Sequence, residues 1–262
     1  MLGKELLFAL TGTGATFLAT ALGAALVFFF KKDMSAAMQR IFLGFAAGVM
    51  TAASVFSLLL PAMEQLEGEG KSVVLPVCGG FAIGALFLLL LDKLLPHMHL
   101  GSEEPEGLPS HFRKSTMLVL AVTLHNIPEG MAVALAFASA AAQQGGLAAA
   151  VALAVGMALQ NFPEGAAVSL PLRSNGAGKG KAFFMGALSG VVEPVAGILA
   201  VLVAGSVTGV MPWVLSFAAG AMIYVVVEEL IPEAHLGEHS HVGTASALFG
   251  FFVMMLLDIA IG

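Results

Sequence analysis

Leu124-His125-Asn126-Ile127-Pro128-Glu129-Gly130 lies inside a long apolar run, and 35 positions later Leu159-Gln160-Asn161-Phe162-Pro163-Glu164-Gly165 repeats its pattern inside another. Apolar runs of this length read as membrane spans, so each copy sets ionisable groups and a proline at bilayer depth. A carboxylate or imidazole is costly there and normally faces a cavity and a partner rather than lipid. Within each copy the four-residue step from His125 to Glu129, or from Gln160 to Glu164, sets both side chains on one helix face, and Asn126 and Asn161 reach the same glutamates at a three-residue step. The pair points to an ion site.

The surrounding composition agrees. The 262 residues are 58% hydrophobic and only 11% charged, far from a soluble globular domain. Eight runs reach the roughly 20 residues needed to cross a hydrocarbon core: 7–30, 41–62, 73–95, 115–140, 146–170, 181–204, 211–232 and 243–261. The expected fold is all-α, a polytopic membrane helix bundle forming one transmembrane domain over residues 1–262. The first run is followed by Lys31 and Lys32 and is longer than the apolar region of a signal peptide, so it reads as a retained span.

Lys and Arg set the orientation. Lys31, Lys32, Arg40, Lys93, Arg113, Lys114, Arg173, Lys179 and Lys181 fall in or beside the loops after spans 1, 3 and 5, while only Lys4 and Lys71 lie on the other side. Those basic loops are expected in the cytoplasm, with both termini outside. The net charge of -6 comes mainly from acidic loops and helix ends and gives no sign of nucleic acid binding. The lone Cys78 excludes an internal disulfide and reads as a small buried apolar side chain.

A second, weaker repeat relates the flanks. Gly44-Phe45-Ala46-Ala47-Gly48-Val49-Met50, running to Pro61, matches Ser216-Phe217-Ala218-Ala219-Gly220-Ala221-Met222, running to Pro232. Leu90-Leu91-Asp92 likewise echoes Leu256-Leu257-Asp258, each downstream of a Gly-Phe pair, Gly80-Phe81 and Gly250-Phe251. An offset of five spans makes the two copies cross in opposite senses. The layout expected is therefore a 3+2+3 inverted repeat, with spans 4 and 5 central, and inverted repeats with broken helices mark transporters. Glycine pairs at four-residue spacing, such as Gly44/Gly48, Gly80/Gly84 and Gly186/Gly190, favour close helix approach.

Pro128 and Pro163 cannot donate backbone hydrogen bonds and crowd the carbonyls of Leu124 and Leu159, which become free oxygen ligands. Such breaks are tolerated only where buried in protein or lining a polar cavity. Glu193-Pro194 in span 6 adds a third mid-membrane carboxylate, and three carboxylates together need a cation. Imidazole beside carboxylate suits zinc or a similar first-row ion, whereas calcium or magnesium would take oxygen alone. Three ionised glutamates carry a formal charge of -3 against +2 for one ion, so two ions at full occupancy are not expected.

The doubled His-Asn-x-Pro-Glu-Gly and Gln-Asn-x-Pro-Glu-Gly motifs, the eight spans and the histidine-bearing loop after span 3 resemble the ZIP (Zrt/Irt-like) metal transporters, especially their prokaryotic branch, over essentially the whole chain. The resemblance implies one metal position at His125, Glu129, Gln160 and Glu164 and another at Asn126, Glu129, Asn161, Glu164 and Glu193, with both central glutamates bridging. Some relatives carry a carboxylate where Asn161 stands, so the second position is expected to bind more weakly here. The resemblance also implies an elevator-like motion of spans 1, 4, 5 and 6 past a more static group, and puts Met50 and Ser57 beside the outer path.

Glu64 and Asp258 read as collectors at the outer mouth. At the inner mouth, Asp92, Glu228, Glu229, Glu233 and His235 are expected to receive metal together with His97 and His99, and the loop histidines to act as a low-affinity buffer. The resulting expectation is an uptake transporter in the inner membrane of a prokaryote, moving zinc, with cadmium, iron(II) or manganese(II) as further ions. Its partners would be divalent metal ions and the lipid bilayer, with a homodimer left open. Walker-type nucleotide motifs are lacking in the sequence. The alternatives are an intramembrane zinc-dependent hydrolase, with His125 and Glu129 holding zinc and an activated water, and a metal-sensing receptor. The sequence lacks the hydrolase's His-Glu-x-x-His arrangement and offers no signalling domain for a sensor.

Overall fold

The computed structural model describes residues 2–30, 34–98, 107–109, 112, 114–143, 146–206, 209–235 and 241–262. Among them eight helices are long and apolar enough to cross a membrane: α1 Leu2–Phe28, α2 Ala36–Gly68, α3 Val74–Leu94, α4 Thr116–Ala142, α5 Leu147–Ser174, α6 Lys179–Ser206, α7 Met211–Ala234 and α8 Val242–Ile261. The protein is an integral membrane protein. Several helices outrun the apolar stretches that announce them, α2 most clearly at 33 residues, because polar residues continue a helix once it leaves the hydrocarbon.

Packing sorts the helices into two groups. Within one, α1 packs against α5 and α4 against α6; within the other, α2 packs against α8 and α3 against α7. The second group is stitched by glycines in both directions. A side-chain carbon added at Gly48 would strike the carbonyl of Ala247, and one at Gly250 the carbonyl of Phe45. The same exchange joins Gly84 to the carbonyl of Phe217 and Gly220 to that of Phe81. Lipid tails give helices no hydrophobic reason to associate, so close backbone approach through small residues supplies the attraction. These contacts pair Gly84 with Gly250, each eight residues before its aspartate, Asp92 or Asp258. The Gly80-Phe81 echo of Gly250-Phe251 is therefore one helical turn out of register.

Two further irregularities match across the flanks. A π-helical turn occupies Ser54–Leu59 in α2 and another Val226–Leu230 in α7. Pro61 and Pro232 stand two residues past the last residue of each. A proline offers no N–H to the carbonyl four residues back and crowds it, and the preceding turn widens to relieve the clash. Between the groups lies a core in which Met50, Met157, Met222 and Met254 are all at most 1% exposed. Cys78 is exposed, not buried as its apolar context suggested, because α3 turns most of its surface outward to lipid.

Candidate metal site

Helices α4 and α5 bring the doubled motif to the middle of the bundle. Both continue as uninterrupted α-helix through Pro128 and Pro163, so the breaks expected there do not occur. Each proline still removes one backbone hydrogen bond, but packing on several sides holds the flanking turns in place. The interruption falls in α6. Its two halves, Lys179–Gly190 and Val192–Ser206, meet at Val191, leaving Glu193 in the first turn of the second half. A helix N-terminus favours a carboxylate through its unpaired N–H groups and dipole.

Glu193 is fully buried. Its Oε1 accepts hydrogen bonds from Asn161 Nδ2 at 3.0 Å and from Thr20 Oγ1 at 3.2 Å. The chain of contacts runs on through Gln160, whose Nε2 donates to Asn161 Oδ1 and to Glu129 Oε2, both at 2.5 Å. One continuous polar line thus joins α1, α6, α5 and α4 inside the apolar bundle. Asn126 Nδ2 donates instead to the carbonyl of Ser189 at 3.1 Å. Neither asparagine turns to the glutamate three residues on, as the helical step suggested; both face α6.

The final glycine of each motif explains that closeness. A side-chain carbon at Gly130 would strike the backbone of Glu193, and one at Gly165 the carbonyl of Thr20. Gly130 therefore admits α6 against α4, and Gly165 admits α1 against α5. Thr20 stands toward α5 as Glu193 stands toward α4, a role that the residue type does not advertise. Nothing near Thr20 in the sequence marks it, since its partner Glu193 lies 173 positions away.

His125, Glu129, Gln160 and Glu164 line a cavity of about 50 Å³, several times the roughly 10–15 Å³ that one water needs. Its walls extend past Met50 and Leu43 in α2, Leu118 in α4 and Ala167 in α5 to Gln39 and Glu233. Asn126, Asn161 and Glu193 lie behind it and do not line it. The seven central residues thus divide into a cavity-facing set and a buried set. Glu164 Oε2 is buried with no hydrogen-bond partner among the described residues. Also among the described residues, no three His, Cys, Asp or Glu side chains converge at metal-ligand spacing. Side-chain amides separate the carboxylates, and the imidazole is turned elsewhere.

That imidazole corrects the reading of Glu229. Its Oε2 pairs with His125 Nε2, and it is 3% exposed at the centre of the bundle rather than at the inner mouth. The π-helical turn in α7 carries it there, leaving Glu228 exposed. Glu233 lines the same cavity. His97 is not a free loop ligand: it is fully buried, its Nδ1 donates to the carbonyl of Leu95 at 2.8 Å, and its Nε2 lies 3.0 Å from Asp92 Oδ1. Tyr224 donates to the other oxygen of Asp92 at 3.1 Å. The chain turns back on itself after α3, drawing His97 onto the helix end. His99 and the side chain of His235 lie outside the described residues.

At the opposite end, Ser57 Oγ donates to Asp258 Oδ1 at 3.4 Å, whereas Glu64 is exposed on the last turn of α2. Met50 belongs to the wall of the cavity.

A family model described as ZIP zinc transporter matches residues 102–258. The zinc transporter GufA of Myxococcus xanthus is 38% identical over 248 residues, covering 93% of this chain and 95% of that protein. The zinc transporter ZIPB of Bordetella bronchiseptica is 38% identical over 260 residues, covering 97% and 82%. The human zinc transporter ZIP11 is 36% identical over an alignment of 333 positions, covering 97% of each.

Proposed function

The chain belongs to the ZIP zinc transporter family, and from that premise we propose that it carries zinc into the cytoplasm across the inner membrane of a prokaryote through the His125, Glu129, Gln160 and Glu164 cavity. Membership of a family of transporters, not any missing residue, sets the hydrolase aside. The observation that carries the reading is the course of that cavity. Its lining includes the motif side chains, and its walls reach Gln39, Leu118 and Glu233 at helix ends that the Lys and Arg distribution assigns to the cytoplasm. This state then faces inward. Asn126, Asn161 and Glu193, with Glu129 and Glu164 bridging, form a second, weaker position behind the first.

Movement follows the division of the helices. The group α1, α4, α5 and α6 carries the motif and slides as an elevator against α2, α3, α7 and α8, which a 3+2+3 inverted repeat relates in opposite senses. The reciprocal glycines and the matched π-helical turns support that repeat. Glu229 comes from the static group, so its pairing with His125 closes the imidazole to metal here and opens it when the groups shift. The test is uptake by the purified protein in liposomes. Zinc accumulating down an imposed gradient, and cadmium, iron(II) or manganese(II) compared beside it, supports the reading; liposomes no more permeable than protein-free controls refute it.

Orientation is checked separately. In a Cys78→Ala background, cysteines placed in loops 31–40, 96–114, 173–181 and 233–242 should resist an impermeant thiol reagent added to intact cells and react once the membrane is opened. Labelling of the first three from outside would invert the topology.

Asn161→Asp should bind a second zinc ion more tightly than the parent. Asn161 Nδ2 now donates to Glu193; a carboxylate in its place sets two anions side by side and raises the formal ligand charge from -3 to -4, against +4 for two ions. Faster transport need not follow, since conduction also requires release. Metal stoichiometry at matched free zinc decides: a parent that already holds two tightly bound ions contradicts the argument.

A further inference from the structure

On the other side of α4 from the metal cavity, a groove of about 400 Å³ separates the two helix groups. Every residue that lines it is apolar. Ile83 and Phe87 of α3 and Trp213 and Phe217 of α7 form one wall; Ile127 and Met131 of α4 and the Ala196 to Val203 face of α6 form the other. The volume lies within the range of small-molecule pockets, roughly 300–1,000 Å³. Such a surface offers water no partners.

Its mouth opens to lipid. Ile83, Leu199 and Val203 are 53%, 59% and 55% exposed, while Ala200 on the floor is 5% exposed. The seven helical steps from Gly80 to Phe87 span about 10 Å at the rise of about 1.5 Å per residue. The groove starts near Trp213, at the beginning of α7, and runs toward Ile127, beside the centre of the motif. That course covers most of one leaflet's hydrocarbon, about half of a core roughly 30 Å thick. The matching place across the bundle is shut, since α5 meets α8 so closely at Gly156 that an added carbon would strike Met254, whereas α4 barely touches α3.

We propose that this groove binds one acyl chain of a bilayer lipid, inserted from the leaflet at the Trp213 end between the α3/α7 wall and the α4/α6 wall. The bilayer is the apolar medium that the mouth faces, and an unbranched chain has the width and depth to restore dispersion contact along both walls. One consequence rests on the sliding reading above: α4 and α6 cannot close on α3 and α7 until the chain leaves, so the lipid holds the transporter in the state seen here.

Trp213 is the only tryptophan in the chain, so its fluorescence reports on the groove directly. The protein is reconstituted in bilayers containing increasing fractions of a lipid brominated on its acyl chain. Quenching of Trp213 at low bromolipid fraction is expected, and Ala200→Phe and Val203→Phe should each reduce it by roughly half or more by pushing the chain out of contact. Leu248→Phe, on the exposed surface of α8, no residue of which lines the groove, should leave it unchanged. Should Ala200→Phe fail to fold, Val203→Phe at the exposed rim carries the test. Absence of quenching, as when a second copy of the protein covers the groove, or quenching equal in parent and groove variants, overturns the proposal. The readout needs no metal movement, so failure of the transport reading would leave it interpretable.

Discussion

Zinc uptake should fall on the order of 100-fold in Glu129→Ala and in His125→Ala, the scale expected when an ion's immediate surroundings are dismantled, while both proteins should still fold. Glu129 is 1% exposed, lines the cavity and accepts a hydrogen bond from Gln160 at 2.5 Å. Its removal leaves the Gln160 amide bonded to Asn161 Oδ1 and Met157 Sδ, a loss of about 1–3 kcal/mol that an intact bundle withstands. Charge and packing are separable here. Glu129→Gln keeps the volume but not the negative charge, and should fail at transport nearly as badly as alanine. Uptake in liposomes, paired with thermal unfolding of the same preparations, gives both numbers. Parent-like transport by Glu129→Gln would mean that the carboxylate is not a ligand.

The second large effect falls on residues with no chemistry of their own. Gly130→Ala and Gly165→Ala each force a methyl group into the backbone of a neighbouring helix. Overpacking of this kind costs about 1–3 kcal/mol, and the upper end applies because backbone cannot rotate aside. Melting should drop by several degrees, and transport should fall with it as α6 or α1 is pushed from the motif. Gly3→Ala, with nothing within 4 Å of the added carbon, should melt like the parent. Equal melting in all three would show that the close approach is not tight.

The eight helices and the central residues were legible in the sequence because each rests on a local signal: apolar length for the spans, a four-residue step for His125 with Glu129 and Gln160 with Glu164. What escaped depends on distant partners. Glu229 reads as one of several acidic residues near an inner helix end, since nothing nearby announces that a widened turn ahead of Pro232 rotates it, and not Glu228, toward His125. Thr20 escapes for a similar reason, its partner Glu193 being 173 positions away. The prolines misled in the opposite direction. They mark helix breaks in isolation, yet α4 and α5 run through them and the interruption falls at Val191, where the sequence shows only a glycine-rich approach and Pro194.

The paired glycines of α2 with α8 and α3 with α7 also limit how this helix group can deform. Each pair is notched in both directions, so a slip of one residue, about 1.5 Å, would drive side-chain carbons into carbonyls at both notches of the pair together. Neither helix can creep along its neighbour. Each pair behaves as a single stiff strut, and strain imposed during a transport cycle must pass to the ends of those struts and to the widened turns at Ser54–Leu59 and Val226–Leu230, the compliant joints of an otherwise rigid frame.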